Sequence, residues 1–280
     1  MTSGMTSFDK IYDQPDPRAY FTVLGPLEYQ TPHHAQAVFR RMAETRRGTA
    51  ASEPLTVVDI CCSYGINAAL LNHDVTLDEL YRRYTSPEIA PLTTAELVED
   101  DRAYFAARRR PGAARVVGID VAAQAVSYGR AVGLLDEGFA ENLETAEPSR
   151  ELLREARRAR LITITGGTTF LSARTLKALT AGPDEPAWVA SFVLRTASYA
   201  PIADALAAHG LSTEKYTART FPQRHFSGPE EQRYAIAAVE ATGEDPRGRE
   251  SEGYFHTTLY VSRPAEDIAA LPLAALLGAD

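Results

Sequence analysis

Leu55-Thr-Val-Val-Asp-Ile-Cys-Cys-Ser-Tyr-Gly65 runs directly into Ile66-Asn-Ala-Ala-Leu-Leu71. Its first six residues are a short, unbroken, β-branched stretch, the pattern of a parallel strand buried on both faces. Cys61 to Gly65 is a turn of mostly small residues, and the apolar run behind it starts a helix. The segment reads as a β-turn-α unit.

Downstream the same rhythm continues. Arg115 to Asp120 reads as a second strand and Ala122 to Leu135 as a helix. A weak third strand is expected near Gly138 to Leu143, and a charged helix over Ser149 to Arg158. Leu161 to Thr165 and Ala187 to Leu194 are the fourth and fifth strands, followed by helices at Thr169 to Thr180 and Ile202 to His209. Such alternation predicts right-handed βαβ crossovers and a mostly parallel sheet covered on both sides. The tail departs from it. Leu211 to Phe221 looks extended, Glu230 to Ala241 helical, and Tyr254 to Ser262 alternates as a strand, so a hairpin is expected to close the sheet.

Upstream, Asp16-Pro17 and Thr31-Pro32 are helix starts with proline at the first helical position, and Gly48 suits the end of the second helix. Two helices are thus expected before any strand. Residues of about 73–113 carry helical stretches bounded by prolines and read as an insertion after the first βα unit. This divides the chain into an N-terminal helical part, 1–50, and an α/β domain, 51–280.

The 280 residues hold 29 Lys and Arg against 37 Asp and Glu, a net charge of −8, so the mean field repels nucleic acid and anionic membranes. Neither is expected as a partner. No run approaches the ~18 apolar residues of a membrane span, and Met1 to Lys10 is polar, which leads to the expectation of a cytoplasmic protein. Cys61 and Cys62, the only cysteines, are neighbours and fit neither a long-range disulfide nor a metal pattern. The histidines show no zinc spacing, so no metal is expected. The apolar stretch Ile268 to Leu277 offers a surface for a second copy, and a homodimer is a possible assembly.

In open parallel sheets ligands bind beyond the carboxyl ends of the strands. Asp59 stands near the first exit, and Asp120, followed by Val121, ends the second strand. A carboxylate there suits the two hydroxyls of a ribose. The turn at 61–65 brings backbone N–H groups close to a ligand at a helix N-terminus. Cys61 and Ser63 occupy positions where a dinucleotide fingerprint has glycine, which argues against NAD. Cys-x-Ser-x-Gly also suggests a nucleophile elbow, but only one strand precedes it, so a hydrolase is disfavoured.

Val57-Val-Asp-Ile-Cys-Cys-Ser-Tyr-Gly65 and Val117-Gly-Ile-Asp-Val-Ala-Ala-Gln-Ala-Val126 resemble the first two motifs of class I S-adenosylmethionine-dependent methyltransferases. The resemblance implies a Rossmann-like seven-stranded sheet whose last strand is antiparallel, and S-adenosyl-L-methionine as cofactor. It implies that Asp59, Cys61, Ser63, Tyr64 and Gly65 hold the methionine part, that Asp120 and Val121 serve the ribose, and that the segment around Glu141-Asn142 takes the adenine. At the fourth exit, where the family often has an acid, this chain has Thr165 and Gly166. A neutral exit suits an acceptor that is already nucleophilic, since a positioned base is otherwise worth ~10² to 10⁴ in rate. Tyr12, Tyr29 and Tyr64 are candidates for cation-π contact with the sulfonium. The two N-terminal helices resemble the lid of methyltransferases that act on small molecules. The expected activity is methyl transfer to a small metabolite. The alternative is a ring-forming reaction in which the amine of S-adenosylmethionine attacks its own side chain and releases methylthioadenosine.

Overall fold

A computed structural model of the chain describes residues 4–47, 54–182 and 185–278. Gly48 and the 50/51 division lie outside them. The N-terminal part holds α1 (Asp9–Tyr12), α2 (Arg18–Leu24), a 3-10 turn (Gly25–Leu27) and the long α3 (Thr31–Arg47). The first unit is β1 (Thr56–Ile60) and α4 (Ile66–Asn72), followed by α5 (Leu77–Tyr84) and α6 (Thr94–Ala106). Alternation then resumes with β2 (Arg115–Asp120), α7 (Ala123–Ala131), β3 (Glu137–Ala140), α8 (Arg150–Ala156), β4 (Ala159–Ile164), α9 (Ala173–Thr180), β5 (Trp188–Leu194) and α10 (Ala200–Ala207). The tail is β6 (Leu211–Lys215), β7 (Phe221–His225), α11 (Pro229–Ala241), β8 (Tyr254–Pro264), α12 (Ala265–Ala270) and α13 (Leu273–Leu277).

The sheet order is β3-β2-β1-β4-β5-β8-β6, with β1 to β5 parallel and β8 antiparallel to β5 and β6. It has eight strands, where seven were expected. The extra one arises because the outer edge is broken. β6 pairs with residues 260–264 of β8, and β7 pairs with residues 254–257 of the same strand, so the two lie end to end along one margin.

Every residue of β1 is buried, and alternate side chains feed two cores. Val57 joins α3, α4, α7 and α13 residues such as Phe39, Leu70, Val126 and Leu276. Val58 and Ile60 join Leu152, Leu176 and Leu206 of α8, α9 and α10. This two-sided burial explains why the strand carries no polar alternation. Leu273 and Leu276, inside the stretch read as a dimer surface, are instead buried in this chain's own core.

The helices between α4 and β2 are nucleated locally. Thr76 with Glu79 and Thr93 with Glu96 form reciprocal capping boxes at the starts of α5 and α6. Their neck is zipped by a His73–Arg109 bridge and by the Arg110 N–H donating to the Asn72 carbonyl at 2.8 Å.

The N-terminal segment is a strap tied at several points. The Thr6 N–H donates to Glu231 at 2.8 Å, and Phe8 lies against the Arg224 guanidinium. Asp13 accepts from the Gln124 N–H in the first turn of α7, at 2.8 Å, where a carboxylate is favoured by the helix dipole. Tyr64 Oη donates to the Ile11 carbonyl and accepts from the Gln14 N–H, both at 3.0 Å.

Candidate active site

Where β1, β2 and β4 end, the strap and the start of α3 roof over a cavity of about 550 Å³. Its floor is Ile60 to Ser63, Ile119 to Ala122 and Thr165 to Gly167; Glu141 to Glu144 form one wall, and Tyr12, Tyr20 and Tyr29 form the roof. The volume lies within the usual range for small-molecule sites.

The floor turn has an unusual backbone. Cys61, Ser63 and Gly65 take φ values of 57°, 48° and 82°. The chain therefore keeps the left-handed geometry of a glycine-rich loop at two positions that carry side chains, each strained by ~1–3 kcal/mol. The neighbouring glycines make room: a Cβ on Gly118 would stand 2.7 Å from the Cys62 sulfur. Burial pushes the thiol pKa values of Cys61 and Cys62 up, so neither is a ready thiolate.

Asp120 closes this turn, accepting from the Ser63 N–H at 2.8 Å and the Ala122 N–H at 3.0 Å. Burial raises its pKa, although these backbone donors favour the ionised form. Asn67, in the first turn of α4, donates through Nδ2 to Thr165 Oγ1 at 2.8 Å and to Asp59 at 3.0 Å. Two atoms of the wall find no partner among the described residues, the Ser63 hydroxyl and Asn67 Oδ1, although both residues are more than nine-tenths buried. Unmet buried polar atoms cost ~1–3 kcal/mol each, and a ligand that bonded them would recover it.

Of the residues singled out from sequence, Tyr12, Tyr29, Cys61, Ser63, Asp120, Val121, Asn142, Thr165 and Gly166 converge on this cavity. Asp59, Tyr64 and Gly65 stand outside its lining. Asp59 lies one layer below, accepting from the Thr163 hydroxyl at 2.7 Å and reaching the cavity only through Asn67. Tyr64 turns its hydroxyl into the strap, because the peptide groups at Ile11 and Gln14 give it both a donor and an acceptor. Its ring is therefore absent from the roof. Gly65 serves as the left-handed residue that starts α4. Sequence reading missed Asn67, Tyr20, Asp9, Asp13, Phe170 and Leu171. Asn67 sits two residues beyond the quoted turn on the helix that the turn launches, and that spacing was its available signal. Phe170 and Val121 are exposed apolar residues at the mouth, 68% and 65% accessible.

Two consequences are measurable. Ser63→Gly relieves left-handed strain and deletes an unmet hydroxyl, which outweighs glycine's entropy cost of ~0.5–1 kcal/mol. The expected result is a higher thermal midpoint, worth about 1 kcal/mol, in the ligand-free protein. A lower midpoint would show that the hydroxyl is stabilising as it stands.

Burial drives the Asp59 pKa up to about 7, with Asp120 adding to the rise and the bonds from Thr163 and Asn67 opposing it. The folded protein holds this proton between pH ~4 and 7 while the unfolded chain releases it near 3.9, so Asp59 stabilises least above pH 7. The midpoint difference between wild type and Asp59→Asn should thus change from pH 4 to 7 and be flat above. A difference flat over the whole range contradicts the assignment.

No protein-family model matches the chain, and no curated protein sequence matches it. Solved structures do. The CurJ carbon methyltransferase superposes with a TM-score of 0.50 at 8% identity, covering 91% of this chain and 60% of that one. The YcgJ protein of Bacillus subtilis gives 0.47 at 10% identity, covering 83% and 99%, and the precorrin-6y C5,15-methyltransferase of Geobacter metallireducens gives 0.41 at 8%, covering 83% and 88%. At these identities the likeness to CurJ is one of fold: a Rossmann-like α/β sheet of the kind that carbon methyltransferase has.

Proposed function

We propose that the chain is an S-adenosylmethionine-dependent methyltransferase acting on a small-molecule metabolite. The observation that carries this reading is the convergence, at the exits of β1 and β2, of Asp120, the left-handed turn Cys61–Gly65 and two unmet polar atoms beneath a roof of tyrosines. The donor set fits the cofactor. Asp120 has oxygen lone pairs for the ribose hydroxyls, and Ser63 Oγ and Asn67 Oδ1 suit the amino-acid tail. Val121 stands beside Asp120 at the ribose, and Asn142 flanks the adenine end. When bound, S-adenosylmethionine supplies a sulfonium methyl group that is electrophilic without help from a base.

The chain's own residues then position and enclose. Burial pushes the Tyr29 pKa up to about 12 and that of Tyr12 higher still, so both phenols stay neutral and act through their ring faces. A Cβ on Gly166 would lie 3.4 Å from the Tyr29 hydroxyl, which puts that group over the fourth exit. Thr165, tied to Asn67, leaves the exit without a base. The N-terminal part, read from sequence as residues 1–50, acts as a lid over the α/β domain of 51–280 and keeps water from the reacting carbon.

Incubation with S-adenosylmethionine, alone and with a panel of small acceptors, tests the reading. S-adenosylhomocysteine formed only with an acceptor supports it. Methylthioadenosine released without any acceptor would replace it with the ring-forming reaction. Calorimetry showing no binding of S-adenosylhomocysteine would remove both.

A further inference from the structure

A second cavity, of about 650 Å³, opens at the exit of β5 and shares no lining residue with the first. It follows from the broken margin of the sheet. Pairing with β6 reaches Tyr260 of β8 and pairing with β7 resumes at Thr257, so Thr258 lies opposite the interruption. Strand alternation puts Thr258 and Tyr260 on one face of β8, and that face lines the cavity together with Val193 of β5 and with Ala200 and Ala203 of α10. Tyr260 stacks on Tyr199, ring centroids 4.6 Å apart and 25° from parallel.

The polar groups of this lining hold more donors than the fold uses. Thr258 is 4% exposed, and its hydroxyl meets no partner among the described residues. Arg195, also more than nine-tenths buried, donates through Nη1 to Glu250 at 2.5 Å and through Nη2 to the Asp245 carbonyl at 2.8 Å, while its Nε–H is unmet. Lys215 spends one of its three N–H groups, on Glu244. Glu244 is the single carboxylate of the described lining, and Arg195 engages it as well, at 3.4 Å.

We infer that this is a second ligand site and that it takes a small molecule with a flat apolar body and one carboxylate. Two cations and an unmet hydroxyl face one acid, so a group that only accepts completes the set, and an ionised carboxylate offers about four lone-pair sites. Glu250, which balances Arg195, lies outside the lining, so the charge that meets the ligand is positive. An ammonium would add a donor where donors are in surplus. The apolar body has the stacked tyrosines and the two alanines of α10 to lie against. This site stands independently of the S-adenosylmethionine site proposed above.

The test uses the full-length protein and three probes of similar shape, phenylacetate, phenylacetamide and phenethylamine, with binding at neutral pH followed by ligand-observed NMR. Phenylacetate is expected to bind at least ~3-fold more tightly than the amide, and the amine more weakly than either. Thr258→Val, which keeps the shape and removes the hydroxyl, and Lys215→Gln should each weaken phenylacetate by at least ~3-fold. Lys215 is 40% exposed, so its variant tests the site even if Thr258→Val fails to fold. A preference for phenylacetate below ~3-fold, a tighter amine, no phenylacetate binding up to ~10 mM, or an affinity unchanged in either folded variant overturns the inference. Binding of S-adenosylhomocysteine, measured separately, has no bearing on this outcome.

Discussion

Asp120→Asn is expected to weaken binding of S-adenosylhomocysteine by roughly 100-fold, about 2.8 kcal/mol, with little change in the far-ultraviolet circular dichroism. The carboxylate accepts the Ser63 and Ala122 N–H groups and has lone pairs left for two ribose hydroxyls. Bonds to an ionised acceptor are worth about 1.5–3 kcal/mol each, and an amide offers one acceptor oxygen where the carboxylate offers two. The loss should appear equally with methylthioadenosine, which keeps the ribose and lacks the amino-acid tail. Titration calorimetry with both ligands reads the effect. A change below ~3-fold would place the ribose elsewhere.

Arg224→Met is expected to lower stability by ~3–5 kcal/mol, the second large effect, because it leaves Glu231 as an uncompensated buried charge. The two side chains are 5% and 3% exposed and bonded at 2.7 Å, and Glu231 also takes the N–H groups of Thr6 and Ser227. These bonds hold its carboxyl at about 2, below the usual value near 4.3. The sign follows: the pair's stabilisation is present above pH ~4.3 and is lost as pH falls toward 2. Thermal melts of wild type should therefore show a midpoint dropping over that acidic window, and Arg224→Met should remove this part of the drop. Because Thr6 and Phe8 belong to the strap, the variant should also expose bonds near residue 8 to limited proteolysis. A variant melting within ~1 kcal/mol of wild type, with no new cleavage, would mean the pair does not anchor the strap.

The strand succession was legible because β1, β4 and β5 are apolar on both faces, a pattern few alternatives share. The eighth strand was not, since Leu211 to Phe221 looks uniformly extended and nothing local reveals the break at 216–220. Around the cavity, the positions of Asp120 and Ser63 on its lining were readable because strand exits and small-residue turns follow the backbone plan. Tyr64 was misplaced and Asn67 missed for a common reason. Which way a side chain points in or just after a left-handed turn depends on partners fifty or more residues away, Ile11 and Gln14 for one, Thr165 for the other. The short α1 was invisible because four residues show no periodicity.

The divided margin of the sheet has an effect on colloidal behaviour. An uninterrupted outer strand offers a ladder of free amides on which another molecule can grow. Here β6 and β7 are five residues each, Pro222 has no amide hydrogen to offer, and the Gln223 carbonyl is already taken by the Gln30 N–H at 2.7 Å. The opposite margin, β3, is four residues long and flanked by the Arg115–Glu137 and Arg130–Glu137 pairs. Neither border presents a template long enough to recruit a foreign strand, so concentrated preparations should resist fibre growth for as long as the sheet itself persists.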